Sequence, residues 1–128
     1  MLSSVSKIEF RAVFAGKGEA KINIYRHLSP VTVNSIQRMN VLAGRITRFQ
    51  DTFIYAPLEI RVGVEKAKKK FNRGEVAFMS STGAVCFFLK DVSVGVGMNP
   101  LGEVVSGMEI IDKCGAGDTV QLIEEKSI

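Results

Sequence analysis

The 128 residues suffice for one domain with a sizeable core and are too few for two, so residues 1–128 are read as a single unit. Hydrophobic residues make up 46% and charged residues 23%, a globular balance that excludes a disordered chain, and no apolar run nears the ~18 residues of a membrane helix. The net charge of +4 raises nucleic acid as a partner, while one histidine and two cysteines offer no soft-metal motif.

In chain order, Lys7 to Phe14 alternates Ile8, Phe10, Ala12 and Phe14 with polar residues, which predicts a strand with one buried face. Met1 to Ser6 lacks the pattern of a signal peptide, which points to a soluble, cytoplasmic protein. Ala15 to Gly18 forms a short loop, and Ala20, Ile22 and Ile24 continue the period-2 pattern, completing an N-terminal hairpin. Ser29 offers an N-cap oxygen and Pro30 suits the first helical position. Val33, Ile36, Met39 and Val41/Leu42 follow at helical spacing, with Gly44 available as the stop.

Arg45 to Tyr55 is β-branched and aromatic and reads as a strand until Ala56-Pro57 interrupts it. Leu58, Ile60 and Val62 alternate with charged residues and predict another strand. Val64 to Asn72 is polar and basic, either a short helix or an open loop. Gly74 to Met79 and Gly83 to Leu89 are apolar runs bounded by turn residues, as strands buried on both faces are. Val92 to Pro100 is Gly-rich and reads as irregular; Leu101 to Val105 is a short strand and Ser106 to Lys113 a short helix. Thr119 to Glu124 closes the chain as a strand. About eight short strands without a repeated βα unit predict a closed, mainly antiparallel β-barrel capped by one long and one short helix.

Three segments carry a family resemblance. Gly18 to Ser35 resembles the opening of cyclophilins, where a G-x-I-x-I-x-L strand runs through a P-x-T-V-x-N-F turn into a helix; Pro30, Thr32, Val33 and Asn34 match that turn. Gly74 to Ser80 and Cys86-Phe87-Phe88 are similar to two further cyclophilin strands. Leu101 to Lys113 resembles the F-G-x-V-V-x-G-M-x-V-V-x-K strand and helix, with Leu101 in place of Phe. Together they cover roughly half the chain.

The resemblance implies a surface groove for a proline-containing peptide or a small ligand, with peptidyl-prolyl cis-trans isomerisation as the family's activity. That reaction crosses a barrier of ~18–20 kcal/mol, lowered when an arginine hydrogen-bonds the prolyl nitrogen. By the same resemblance Arg48 stands for the catalytic arginine, with Arg45 as its competitor, and Phe88, Phe49, Met79, Ser80, Met98 and Leu101 stand for the substrate-binding set. The motif is incomplete: no His precedes Arg48, no Q-G-G-D follows, Met79-Ser80 stands where the A-N pair is expected and Cys86 replaces Gln. Adjacent strand residues face opposite ways, so if Phe88 faces the groove then Phe87 faces the core.

Other readings compete. The alternative function is a non-catalytic barrel that binds a ligand or a partner protein, a homo-oligomer among the arrangements. Lys66 to Arg73 can be a phosphate-facing patch, but only Phe71 interleaves with it, so a solvated loop is favoured over nucleic acid. Cys86 and Cys114 sit in apolar settings as buried free thiols, His27 reads as a surface or capping residue, and no cofactor or metal motif is present.

Overall fold

The computed structural model describes residues 7–39 and 42–125. The expectations made for Met1 to Ser6 and for Val41 lie outside the described residues. Strand β1 (Lys7–Phe14) pairs along its full length with β2 (Gly18–Tyr25), from Lys7 opposite Tyr25 to Phe14 opposite Gly18. The alternation acts as expected: Phe10, Ala12 and Phe14 point inward with Ala20, Ile22 and Ile24.

Helix α1 (Pro30–Arg38) starts where Pro30 sets it but ends earlier than its periodicity suggests, with Met39 extended. Leu42 keeps its burial by opening β3 (Leu42–Arg45) instead of continuing the helix. Gly44, expected as the helix stop, lies inside β3; a Cβ there would stand 2.5 Å from the Pro57 carbonyl oxygen, so only glycine allows the close approach. The expected strand from Arg45 to Tyr55 is divided into β4 (Thr47–Phe49) and β5 (Phe53–Pro57) by a turn with Gln50 at φ 53°.

Leu58 to Val62 forms no strand. Leu58 and Ile60 are buried as their alternation suggests, but Glu59 at φ 60° breaks the extended geometry and no neighbouring strand pairs with them. The ambiguous basic stretch resolves into a loop and β6 (Lys68–Phe71). Strands β7 (Glu75–Met79) and β8 (Ala84–Phe88) follow as expected. The Gly-rich stretch at Val92, read as irregular, is the first half of the 15-residue β9 (Val92–Ser106). Register shifts against β6, β7 and β2 relieve the curvature of so long a strand. Helix α2 (Met108–Asp112) and β10 (Thr119–Glu124) complete the chain.

The fold is mostly β, and every ladder is antiparallel. The expected closed barrel of about eight strands needs correction. Ten strands are present among the described residues, hydrogen-bonded in the order β3-β10-β1-β2-β9-β7-β8-β5-β4, with β6 pairing β9 off this path. The path has two ends, β3 and β4, which Ile46 alone separates in sequence. Ile46 bonds neither strand edge: its amide donates to the Asp118 carbonyl (2.7 Å) and its own carbonyl accepts from Gly117 (3.2 Å). The chain thereby steps from pairing β10 to pairing β5.

Two apolar clusters flank the sheet. The main core gathers β1, β2 and β10 with the inner residues of β5, β7 and β8, sealed by Val33 and Ile36 of α1 and Ile111 of α2. The second cluster lies on the opposite face of β5, β7 and β8: Phe53, Phe71, Ala77, Cys86, Phe88 and Met98, with Tyr55, Met79, Val92 and Val94 against it. Here β6 and the first half of β9 form a two-stranded flap over the sheet. Burial of β7 and β8 on both faces therefore has two different covers.

Candidate functional site

The flap leaves a groove of about 420 Å³. One wall comes from the β4–β5 hairpin and the β7–β8 turn, with Phe49, Thr52, Phe53, Met79 and Ser81; the other is Val92 to Val96 and Met98 of β9. Phe49 is 51% exposed and Val96 74%, so each wall presents a large apolar side chain to water. A volume in this range suits a small ligand or one or two side chains.

The aromatic lining follows from strand register. Phe49 stands opposite Phe53, and Phe53 opposite Phe88, so three strands place a phenylalanine in one cross-strand row. Phe49 and Phe53 stack at 5.2 Å, Phe53 and Phe88 tilt at 5.5 Å, and Phe88 stacks on Phe71 at 4.5 Å, nearly parallel. The row runs from solvent at Phe49 to the interior. Lys68 closes its far end with Nζ 4.8 Å from the Phe71 ring centre.

Of the residues expected at a site, Phe49, Met79 and Met98 line this groove. Phe88 lies wholly buried beneath them, and Phe87 points into the main core, as the adjacent pair requires. Ser80 lines a separate polar cleft of about 550 Å³ with Glu59, Arg61 and Thr82, sharing only Ser81 with the groove. Leu101 is buried in the main core.

Arg48 does not line the groove. It alternates with Phe49 in β4 and so leaves the opposite face. Its Nε donates to the Gln50 carbonyl (2.7 Å), and its Nη1 donates to the carbonyls of Asp112 (3.0 Å) and Cys114 (2.8 Å) at the end of α2. A cation there satisfies carbonyls that a helix terminus leaves without partners. Arg45, its competitor, is exposed at the end of β3, opposite Thr119.

The polar residues nearby are engaged in structure. Ser29, the expected cap, makes no capping bond; its hydroxyl donates to the Pro100 carbonyl (2.8 Å). Glu65 caps α1 instead, accepting from the amides of Val31 (3.0 Å) and Thr32 (2.7 Å) and from the Thr32 hydroxyl (2.7 Å). Buried Asn99 locks this loop: its Oδ1 accepts from the Glu65 amide (2.7 Å) while its Nδ2 donates to Thr32 Oγ1 (3.2 Å) and the Gly63 carbonyl (2.9 Å). Burial pushes the Glu65 carboxyl upward, but the bonds from Thr32 and Val31 and the Lys66 charge outweigh it and hold the group below the usual glutamate range.

Burial pushes the Cys86 thiol far up, and burial with the Asp118 charge raises Cys114 to about 11, so neither is a thiolate nucleophile at neutral pH. Among the described residues no group of three or more His, Cys, Asp or Glu is placed to hold a metal ion, and no helix is long and apolar enough to cross a membrane. His27 is exposed with its ring 5.9 Å from that of Tyr25. The basic run is neutralised in part: Arg73 makes a bidentate bridge to Asp112 (both bonds 2.7 Å) and Lys68 pairs with Glu75 (3.3 Å).

Phe53, Thr52, Val92, Val94 and Val96 also line the groove and escaped the sequence reading. The valines carried a signal: Val92, Val94, Val96 and Met98 recur at period 2, the mark of a strand despite Gly95 and Gly97 between them.

No family model and no curated protein matches the chain. Among solved structures it is similar to the hypothetical protein AF2241 from Archaeoglobus fulgidus, at 22% identity and TM-score 0.77, over 94% of this chain and 96% of that one. It is also similar to McbB, solved in complex with tryptophan, at 8% identity and TM-score 0.78 over 93% of this chain. This chain spans 45% of the McbB chain. At these identities the likeness is one of fold.

Proposed function

We propose that the protein binds a ring-bearing apolar group, the proline or aromatic side chain of a peptide or of a small ligand, in the groove between the β4–β5 hairpin and β9. One observation carries this reading: Phe49 and Val96, 51% and 74% exposed, face a common groove that Phe53, stacked on Phe49, also lines. Exposed apolar side chains scattered singly need no explanation, whereas two gathered at one concavity mark a binding surface. The cyclophilin resemblance supports proline as the ring, and the tryptophan bound to McbB, a protein of similar fold, supports an aromatic one. Binding without catalysis is the form favoured. Arg48 would have to release three carbonyls to approach a prolyl nitrogen.

The test is an NMR titration with acetylated Ala-Ala-Pro-Ala amide, N-acetylphenylalanine amide and tryptophan. Amide shifts at Phe49 and Val94 to Met98 are expected with at least one of them, lost in Phe49→Ala. Exchange spectroscopy on the proline peptide in the same samples reads isomerase activity, since uncatalysed exchange takes tens to hundreds of seconds. Absence of shifts with all three probes refutes the groove.

A further inference from the structure

Resting on the groove reading, we infer that the ligand is a free apolar α-amino acid, its ring in the groove and its charged head in the adjoining polar cleft, the carboxylate against Arg61 and the ammonium against Glu59. The cleft of about 550 Å³ lies between the loop after β5 and the β7–β8 turn, and Ser81 borders both it and the groove. The loop is anchored. Leu58 and Ile60 hold it in the main core, and the Leu58 amide donates to the Gly83 carbonyl (3.0 Å). A Cβ on Gly83 would stand 2.5 Å from the Ile60 carbonyl oxygen, so loop and turn meet backbone to backbone. Glu59 holds φ 60°, a conformation glutamate rarely takes, and both it and Arg61 are exposed along the cleft.

The chemistry of the lining selects the ligand. Glu59 and Arg61 form no ion pair with each other, and neither has a partner among the described residues. The hydroxyls of Ser80, Ser81 and Thr82 border the same cleft and are likewise without a protein partner among the described residues. A phosphate or other anion would meet Glu59 as well as Arg61, and a cation would meet Arg61 as well as Glu59. The head of an α-amino acid carries one charge of each sign on neighbouring atoms and satisfies both, with the hydroxyls as further donors to its carboxylate. The interior of a peptide, with neither charge, gains nothing from this cleft. Ser81 is small, so a side chain leaving the cleft crosses it into the groove, where Phe49 and Phe53 line the wall.

The experiment is a set of amide NMR titrations at about pH 6, below the α-amino range of ~7.7–8.0, so that every free amine is charged. The probes are phenylalanine, phenylalanine amide, N-acetylphenylalanine, N-acetylphenylalanine amide and glycine. Phenylalanine should bind about tenfold tighter than the doubly blocked form, each single block losing about threefold, the scale of an exposed charge pair. Its shifts should extend from the groove to Glu59–Arg61 and Ser81–Gly83. In Arg61→Gln phenylalanine and its amide should bind alike, and in Glu59→Gln phenylalanine and its N-acetyl form should bind alike. Both residues are exposed and both replacements keep a polar chain of similar length. Equal binding of all four phenylalanine forms, with shifts at Phe49 and Val96 only, overturns the inference and leaves the groove standing. So does a charge dependence that survives both substitutions. Glycine binding as tightly as phenylalanine, with shifts confined to the cleft, or no shift with any probe, overturns the inference and the groove reading together.

Discussion

Phe87 and Phe88 are neighbours in one strand, equally buried, and belong to different parts of the molecule. Phe87 meets Phe14 edge to face at 6.1 Å in a core sealed by two helices. Phe88 stacks on Phe71 under a two-stranded flap that leaves a groove open to water. A helix lid closes its face because its side chains interdigitate with the sheet. A flap of two strands joined across a register jump covers only part of its face. The same pleat thus yields one side sealed by helices and one side left open to water.

The largest effect that separates the two sides is expected at Phe87. Phe87→Ala should cost about 3–5 kcal/mol in urea unfolding, the range for a wholly buried phenylalanine. A loss below about 1 kcal/mol would mean that the inner face is not close-packed. Next comes Asn99→Ala, which leaves the Glu65 amide and the Gly63 carbonyl without their partner and should cost about 1–3 kcal/mol. Arg48→Ala removes three bonds to carbonyls and should cost about 1–2 kcal/mol while ligand affinity stays within about twofold. Lost binding at unchanged stability would instead place Arg48 at the ligand.

A smaller effect appears in acid. Hydrogen bonding to Arg73 holds the Asp112 carboxyl below its usual range, against burial, and Glu65 is held low by its bonds to Thr32 and Val31 despite burial. Carboxyls lowered in the folded state stabilise it above their unfolded pKa, and that contribution is lost as pH falls through the folded value. Stability should therefore decline below about pH 4.5, and Glu65→Gln should flatten that decline in urea melts collected across the acid range. The smallest stability change is expected on the open side. Phe49→Ala should alter unfolding by no more than about 0.5 kcal/mol, yet abolish ligand binding.

Much of the fold was legible because it rests on local alternation. Lys7 to Phe14 and Thr119 to Glu124 bury one face each, and the pattern alone marks their extent. Alternation reports burial and not pairing, which is why Leu58 and Ile60 were read as strand and prove to be buried loop. Gly95 and Gly97 hid the opposite case, a strand whose valines alternate through residues usually taken as breakers. The α1 cap was beyond local reading, since Glu65 reaches it across more than thirty residues while Ser29 turns to Pro100. Within the candidate site, Phe49, Met79 and Met98 came through the family resemblance. Arg48 and Phe49 were placed in one site although they are adjacent in a strand, and the period-2 rule that separates Phe87 from Phe88 separates them too.

Methionine methyl NMR tests the central claim most directly. Met79 and Met98 line the groove, whereas Met39 lies at the end of α1 and Met108 packs beside the main core. With methyl-labelled methionine and the proline peptide, N-acetylphenylalanine amide or tryptophan added, the Met79 and Met98 resonances should move and those of Met39 and Met108 should not. Shifts confined to Met39 or Met108, or none at Met79 and Met98 with any of these ligands, would contradict the groove as the binding site.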